Sequence, residues 1–519
     1  MKNQQNRPTV SFCDLVAALH QPASYGYSSD TPVTSHETHI SWIFLVGDNA
    51  YKVKKPVRTD FLDYTTLEQR ARFCYEELRL DRRYADDLYV AVVPIVLVGG
   101  EFRIGGEGEP VEYAVKMRRF PPEAMLDHHL RTGAIPAEHL VALAHAIAQF
   151  HQSAPWKDGT GEAVGFQPSV HGVLTDAEDN LRALEQVADG DLLESLVDLR
   201  DWTEKTFTAC RQQFAARITG KYIRECHGDL HAGNIVYWGN RLVPFDGIEF
   251  NEAFRWIDVL SDVAFLGMDL AAFGRVDLSH LFINAYLEHA NDRGSLGLLR
   301  WYHVYRALVR AKVALIRVRQ LETANGDSTA AQRDCYSHIE LARRFAHPSA
   351  PRLWITHGLS GSGKTTLSEQ LVRSTGAIRI RSDVERKRLL GLAPTEHPSG
   401  KIKERLYNAA MSDATYQRLC ELACDIVRAG YSVVLDAAFL AGRDRERARR
   451  LADELGVQLS IVHCRADKAT LRQRLAERAQ SGVDASDADV QVLEQQFKSY
   501  EPLTDTELAL VAEPPKACE

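Results

Sequence analysis

Two hydrophobic rhythms run along this chain, and the place where one gives way to the other divides it. Residues 12–19 carry a short helical pattern, after which a connection rich in Ser, Pro, Tyr and Gly runs to about residue 35. An apolar run over 39–46, a turn at Gly47-Asp48-Asn49 and a returning run over 50–54 predict a hairpin. A capped helical pattern follows over 65–84, with Leu67, Phe73, Leu78 and Leu80 among its apolar positions. Runs over 89–98 and 112–117 complete a small sheet-based lobe, and 118–122 connects it to the remainder of the domain. Helical patterns then dominate, over 136–152, over 176–218, and from about 255 to about 346.

At His347-Pro348-Ser349-Ala350-Pro351 the periodicity stops. Proline removes a backbone donor and restricts the residue before it, so neither helix nor strand continues easily through two prolines in five residues. The predicted division is a domain over 1–346, a linker at 347–351 and a domain over 352–519. In the second domain, short apolar runs over 353–356, 377–381, 431–436 and 461–464 alternate with helical patterns, the rhythm of an α/β domain with a parallel sheet.

Length and charge narrow the function classes. At 519 residues the chain exceeds one ordinary core and predicts about two to four domains. With 45% hydrophobic and 25% charged residues it reads as globular, and the formal net charge of −8 argues against broad nucleic-acid or anionic-membrane binding. The longest apolar run, over 89–98, is interrupted by Pro94 and is far short of a membrane span. The polar residues 1–8 lack the apolar core of a signal peptide. Nine cysteines without repeated spacing suit a reducing cytoplasm, and Cys420 and Cys424 read as helix-face packing.

The candidate chemistry of the first domain lies in His227-Gly228-Asp229-Leu230-His231-Ala232-Gly233-Asn234, followed by Pro244-Phe245-Asp246. Phosphoryl transfer needs one carboxylate to accept the proton of an attacking hydroxyl. It also needs an amide oxygen and a second carboxylate to hold Mg²⁺ on the nucleotide phosphates. Asp229, Asn234 and Asp246 suit these roles in order. A strand lysine reaches the α- and β-phosphates in such a site, with a small residue two positions earlier on its face. Ala50-Tyr51-Lys52 meets that spacing and favours Lys52, with Lys54 on the same face as the rival. A helix carboxylate must hold the lysine; of Glu76 and Glu77, Glu77 is favoured. Asp258 and Asp262 read as buried braces of the Asp229 loop, and His151 and His171 as packing or surface histidines.

The second domain opens on a complete phosphate loop, Gly358-Leu359-Ser360-Gly361-Ser362-Gly363-Lys364-Thr365-Thr366, set between a strand and a helix. Glycines let the backbone curl so that N–H groups and the helix N-terminus surround phosphate oxygens. Lys364 is placed to neutralise the β/γ-phosphates and the Thr365 hydroxyl to ligate Mg²⁺. Asp383, near the end of the next strand, suits a base toward an acceptor hydroxyl, with Arg386 binding acceptor or phosphate. Asp436 ends a third strand and suits contact to Mg²⁺ through water. Arg443, Arg445, Arg447, Arg449 and Arg450 cluster downstream; Arg474 and Arg478, before a polar lid segment at 481–489, are the candidates for stabilising charge on the transferring group.

These motifs resemble two known families joined in one chain. Residues of about 30–345 are similar to the aminoglycoside phosphotransferase family, on the strength of Lys52, His227 through Asn234, and Asp246. That resemblance implies a protein-kinase-like, two-lobed α+β fold with adenine held by backbone groups of 118–122. Two departures stand out: Asp246-Gly247-Ile248 occupies the place of the kinase D-F-G triplet, and Gly47 stands alone where protein kinases carry a Gly-rich loop. Residues of about 352–519 resemble the P-loop kinases that include zeta toxins and polynucleotide and gluconate kinases. The acceptor-activating Asp of that family falls on Asp383 and its partner Arg on Arg386. The tandem resembles bacterial bifunctional aminoglycoside phosphotransferase/ATP-binding proteins, which implies ATP and Mg²⁺ at both sites and small-molecule hydroxyl acceptors. The rival readings are a nucleotide-responsive regulator and a toxin-like kinase acting on a nucleotide-sugar or protein.

Overall fold

The computed structural model describes residues 11–59, 62–133, 135–158, 168–188, 190–394, 396, 398–406, 408–481 and 489–513, with the side chains of 403 and 478–481 outside that set. The chain forms two compact units, 1–170 with 215–266 and 171–214 with 267–519. The predicted linker at 347–351 lies inside the second unit.

Alternation along one strand organises the first unit. In Asn49–Lys54, Ala50 packs with Cys74, Val115 and Met117, whereas Tyr51 and Val53 pack with Leu15, Leu19 and Phe44 on the opposite face. Lys52 and Lys54 therefore share the face of Ala50 and are aimed at the helix Leu67–Ala85. The strand is the third of six in an antiparallel sheet, in the order Val33–Glu37, Ser41–Val46, Asn49–Lys54, Pro110–Arg118, Tyr89–Val98, Glu101–Ile104. Val33–Glu37 falls in what the sequence predicts as a connection. It is an edge strand with no buried residue, so no apolar run marks it. The helix Leu67–Ala85 starts at Thr66, which forms a capping box with Gln69: each side-chain oxygen accepts the other residue's backbone N–H at 3.2 Å.

A second hairpin in this unit, Ile235–Trp238 with Arg241–Pro244, pairs Ile235 with Pro244. Its open end thus sets Asn234 beside Phe245, whose N–H donates to the Asn234 carbonyl at 3.0 Å, and Asp246 follows directly. The expected helix through Arg255 and Asp258 is corrected. A short helix Glu252–Arg255 gives way to a strand, Trp256–Asp258, paired with Ile223–Glu225, before the helix Val259–Ala272. Cross-strand pairing overrides the local helical pattern at this point. The layout is a protein-kinase-like fold: an antiparallel sheet, a carboxylate-bearing helix against its lysine strand, and a loop-plus-hairpin carrying the polar motif.

The predicted run over 176–218 is two helices, Val170–Glu185 and Gly190–Thr219, of which 171–214 belongs to the second unit. The hairpin of Leu296–Thr323 and Thr329–Ala346 supplies much of its helical core. His303 lies in that core, stacked on Phe345 at 4.7 Å between ring centres. Burial pushes its pKa down to about 3 from 6.5. Because the unfolded chain binds that proton more readily, stability is lost as pH falls below about 6.5. The loss amounts to about 2 kcal/mol at about pH 5 from this residue alone. Denaturant melts across this range should show the slope, and His303→Leu should flatten it by about one proton; an unchanged slope would contradict a neutral buried imidazole.

Past residue 351 the unit is an α/β P-loop domain whose four parallel strands lie in the order Ile378–Arg381, Val433–Asp436, Arg352–His357, Gln458–His463. The central strand Val433–Asp436 is buried along its whole length and the central strand Arg352–His357 from Leu353 onward, as expected of a parallel sheet covered on both faces. Asp383, expected near a strand end, sits in the first turn of the helix Ser382–Leu389. No helix among the described residues is long and apolar enough to cross a membrane.

Candidate functional site

A buried chain of alternating charges runs through the first unit. Lys52 Nζ donates to Glu77 Oε1 at 2.9 Å and also to Asp246 Oδ1. Lys54 Nζ donates to the other Glu77 oxygen at 2.7 Å and to Glu249, which also accepts from the Tyr64 hydroxyl. Burial works to lower the Lys52 pKa, but the Asp246 and Glu77 carboxylates outweigh it and hold the ammonium well above its usual range. Glu77 is likewise opposed by burial and kept ionised by Lys52 and Lys54. Glu76, on the neighbouring face, pairs instead with Arg79 at 2.7 Å and with the buried Arg255 at 3.0 Å. The structure therefore sets Glu77, rather than Glu76, against Lys52, and gives both lysines of the strand a place on the same carboxylate.

Lys54 is fully buried and touches no open surface, which separates it from Lys52, whose second partner Asp246 is part-exposed. Lys54→Met would leave Glu77 short of a partner and Glu249 buried beside it. A loss of about 3–5 kcal/mol is expected, read by chemical denaturation; a loss under about 1 kcal/mol would show that the pair is solvated.

The loop 227–234 is held from beneath. Asp262 accepts the backbone N–H groups of His227 at 3.2 Å and Gly228 at 2.9 Å, one on each oxygen, and lies 3.2 Å from His151 Nε2. His151 is thus part of the brace. Cys226 joins His151 and Asp262 in a cluster whose ligand-type atoms lie within 4.8 Å, but both Asp262 oxygens already accept backbone bonds. Gly228 has φ +86°, and a Cβ there would meet the Phe254 carbonyl at 2.5 Å, so the turn admits only glycine. His227 accepts the Asp229 N–H on Nδ1 at 3.3 Å and therefore donates from Nε2 to the Phe245 carbonyl at 2.9 Å. Burial lowers its pKa and keeps it neutral. This ring ties the Asp229 loop to the Asp246 segment.

Asn234 Nδ2 donates to both the carbonyl and Oδ2 of Asp229 at 3.0 Å. Both partners are acceptors, which fixes the amide orientation and leaves the Asn234 oxygen pointing elsewhere. His231 accepts the Gly233 N–H on Nδ1 at 3.0 Å and presents Nε2 to Asp229 Oδ2 at 3.4 Å. Asp246 has φ +62°, and its N–H donates to the Tyr89 hydroxyl at 3.0 Å. Gly247 N–H donates to Asp81 at 2.8 Å. Burial pushes the Asp81 carboxyl well above the usual range, and the Glu77 carboxylate adds to that shift.

In the second unit, Gly358 begins the phosphate loop where a Cβ would meet the Cys464 carbonyl at 2.4 Å, so strand and loop backbones approach as only glycine permits. Gly361 and Gly363 continue the loop, and Gly363 caps the helix Lys364–Thr375. Ser362 is buried, whereas Thr365 and Thr366 are exposed in the first turn. Ser360 N–H donates to Gln496 at 2.8 Å, and Lys364 Nζ donates to the Leu359 carbonyl at 2.9 Å, folding the lysine over the loop. Asp436 is buried at the end of its strand and accepts from Ser368 at 2.8 Å. Arg386 donates to Asp383 at 3.1 Å, and Arg474 to the Gly361 carbonyl at 3.2 Å. The Arg478 side chain lies outside the described residues, as does most of the expected lid.

Five participants escape a linear reading: Glu249, Tyr64, Asp81, Ser368 and Gln496. Only Asp81 carried a local signal, since it lies four residues after Glu77 on one helix face. The downstream arginines divide differently from a basic cluster. Arg445 is buried on the carbonyls of Phe439 and Leu440 and on Glu507, while Arg449 and Arg450 pair with Glu446 on the surface.

Residues 353–503 match the AAA_33 family model, an AAA domain. The chain is 32% identical over 479 residues to the uncharacterized protein Rv2004c of Mycobacterium tuberculosis (strain ATCC 25618 / H37Rv), covering 90% of this chain and 92% of that protein. Among solved structures, it is similar to an aminoglycoside phosphotransferase from Alicyclobacillus acidocaldarius, at 13% identity and a TM-score of 0.34, over 66% of this chain and 96% of that one. A gluconokinase from Sinorhizobium meliloti matches at 20% identity and a TM-score of 0.20, over 30% of this chain and 78% of that one.

Proposed function

This chain belongs to the family of the Mycobacterium tuberculosis protein Rv2004c, and we propose that it is a phosphotransferase with two ATP·Mg²⁺ sites, each moving a γ-phosphoryl group to a hydroxyl of a small-molecule acceptor. The observation that carries this reading is the convergence of Lys52, paired with Glu77, on Asp246, next to an Asp229 carboxylate oriented by Asn234. At this site Lys52 binds the α- and β-phosphates and Glu77 keeps it extended toward them. Asp229 accepts the acceptor's hydroxyl proton as the acceptor oxygen bonds to the γ-phosphorus. The bond from that phosphorus to the β,γ-bridging oxygen breaks, and ADP leaves with the electron pair. The Asn234 amide oxygen and the part-exposed Asp246 carboxylate fit a hard cation, as do the exposed Thr365 hydroxyl and, through water, Asp436 at the second site. Mg²⁺ held there would neutralise charge on the phosphate oxygens.

At the P-loop site the backbone of Gly358 through Gly363 cradles the phosphates, Lys364 neutralises them, and Asp383 takes the acceptor proton with Arg386 beside it. Arg474 and Arg478 share the helix Lys468–Ser481, which packs by the loop through Leu471; their role toward the transferring group belongs to the same reading. A cytoplasmic setting is supported by the cysteines, all free among the described residues. The test is transfer of radiolabelled γ-phosphate to a panel of polyhydroxylated metabolites by the intact chain and by Asp229→Asn and Asp383→Asn variants. Each variant should lose one class of labelled product. Tight ATP binding with persistent absence of acceptor labelling would overturn the reading and favour a nucleotide-responsive regulator.

A further inference from the structure

The helix Ser382–Leu389 presents two working faces. Asp383 and Arg386 occupy one, three residues apart and bonded at 3.1 Å. Glu385 and Arg388 occupy the opposite face, given 3.6 residues per turn, and meet a part of the chain that precedes the P-loop sequence by more than sixty positions. Arg293 donates to Glu385 at 3.1 Å, and both are almost completely buried, at 5% and 2% exposure. Arg388 donates to the Glu288 backbone carbonyl and to Glu385. The Glu288 side chain lies 3.3 Å from Arg381, at the start of the helix.

One turn earlier on the helix Val276–Ala290, the Asn284 carboxamide accepts the Arg379 N–H at 2.7 Å and donates to the Ala377 carbonyl at 3.2 Å. It acts as a single peptide unit added to the open edge of the parallel sheet, at the strand that leads into Asp383. His280 continues the seam, with Nδ1 at 3.0 Å from the Arg373 carbonyl.

We infer that residues of the segment 280–293 hold the acceptor side of the P-loop site, and that Arg293, Glu288 and Asn284 are positioning residues for Asp383 and Arg386. The inference rests on the proposed role of Asp383 and extends it outside the P-loop sequence. A buried ion pair is a poor source of net stability, since desolvation offsets its Coulomb energy, but it fixes register where an apolar contact would allow sliding. The buried Arg293–Glu385 pair, the part-buried Glu288–Arg381 pair and the edge-strand cap on the strand that leads into Asp383 set the rotation of the helix and thereby the direction of its carboxylate. Glu288 is kept ionised against burial by Arg381, Arg379, Arg293 and Arg388, so the seam holds its charge at neutral pH.

The test uses the full chain carrying Asp229→Asn, so that turnover reports the P-loop site, with water as the acceptor; the binding readout is the part of fluorescent ADP-analogue binding that Lys364→Ala weakens, which belongs to the P-loop site. Arg293→Met should lower the ATP hydrolysis rate at saturating ATP by about 10- to 100-fold, the cost of misplacing a reacting group by about 1 Å. Affinity for the analogue should stay within about two-fold, because the loop and Lys364 are untouched. Arg293→Lys should restore most of the rate, and Glu288→Gln should fall between. A purely structural role would reduce rate and affinity together or leave both unchanged, and either result overturns the inference. If Arg293→Met fails to fold, the Arg293→Lys and Glu288→Gln pair decides by the same split of rate from affinity. If Asp383→Asn leaves the rate intact, the proposed base is wrong and the inference falls with it. A full effect of Asp383→Asn without an effect of Arg293→Met sinks the inference alone.

Discussion

Asp229→Asn should lower phosphoryl transfer at the first site by about 10²–10⁴-fold while leaving ATP affinity within about two-fold. The substitution preserves shape and keeps a group within reach of Asn234 Nδ2, which donates to both the backbone and side chain of residue 229. What it removes is the capacity to take a proton. In the proposed site the nucleotide would be held elsewhere, by Lys52, which is paired with Glu77 and Asp246, and by a cation on Asp246. Rate and affinity therefore separate, and the comparison of single-turnover transfer with equilibrium ATP binding reads both. Loss of ATP binding with normal turnover would place Asp229 among the binding groups and remove it from the chemistry.

Lys364→Ala should weaken nucleotide binding at the second site by about 10- to 100-fold and leave the first site's transfer unchanged. Lys364 is folded over the loop, with Nζ at 2.9 Å from the Leu359 carbonyl, so the ammonium is already held in the concavity that phosphates would occupy. Its removal takes away a charge-assisted contact without disturbing the glycines that shape the backbone. Titrations of the wild-type and Lys364→Ala chains with a nucleotide analogue read this as the weakening of one of two binding components, while acceptor labelling at the first site persists. Equal silencing of both sites by Lys364→Ala would contradict the picture of two independent centres.

Much of this architecture was readable from contiguous patterns. The capped helical pattern over 65–84 predicts the helix carrying Glu77, which runs Leu67–Ala85, and period-two alternation puts Ala50, Lys52 and Lys54 on one face. The phosphate loop is a local motif, and its strand and helix follow from the residues on either side. The edge strand Val33–Glu37 and the strand Trp256–Asp258 were not readable, because pairing rather than composition makes them strands. The break of 176–218 into two helices rests on Gly190 alone, a residue that a helical pattern also tolerates, and no proline marks it.

Residue identity and short-range spacing therefore singled out the side chains of the proposed sites: Lys52, Asp229, Asn234 and Asp246 in one part of the chain, Lys364, Thr365, Asp383 and Asp436 in the other. Tertiary structure alone decided which carboxylate meets which cation. Glu77 rather than Glu76 meets Lys52 because Arg79 and Arg255 occupy Glu76. Lys54 is paired with Glu249 across 195 positions of sequence, and Glu385 with Arg293 across 92. The reason is physical. Helical and strand periods act over a few residues and leave a record in the sequence around them. A buried ion pair depends on two surfaces brought together by the whole fold, and neither partner's neighbours in sequence encode the other.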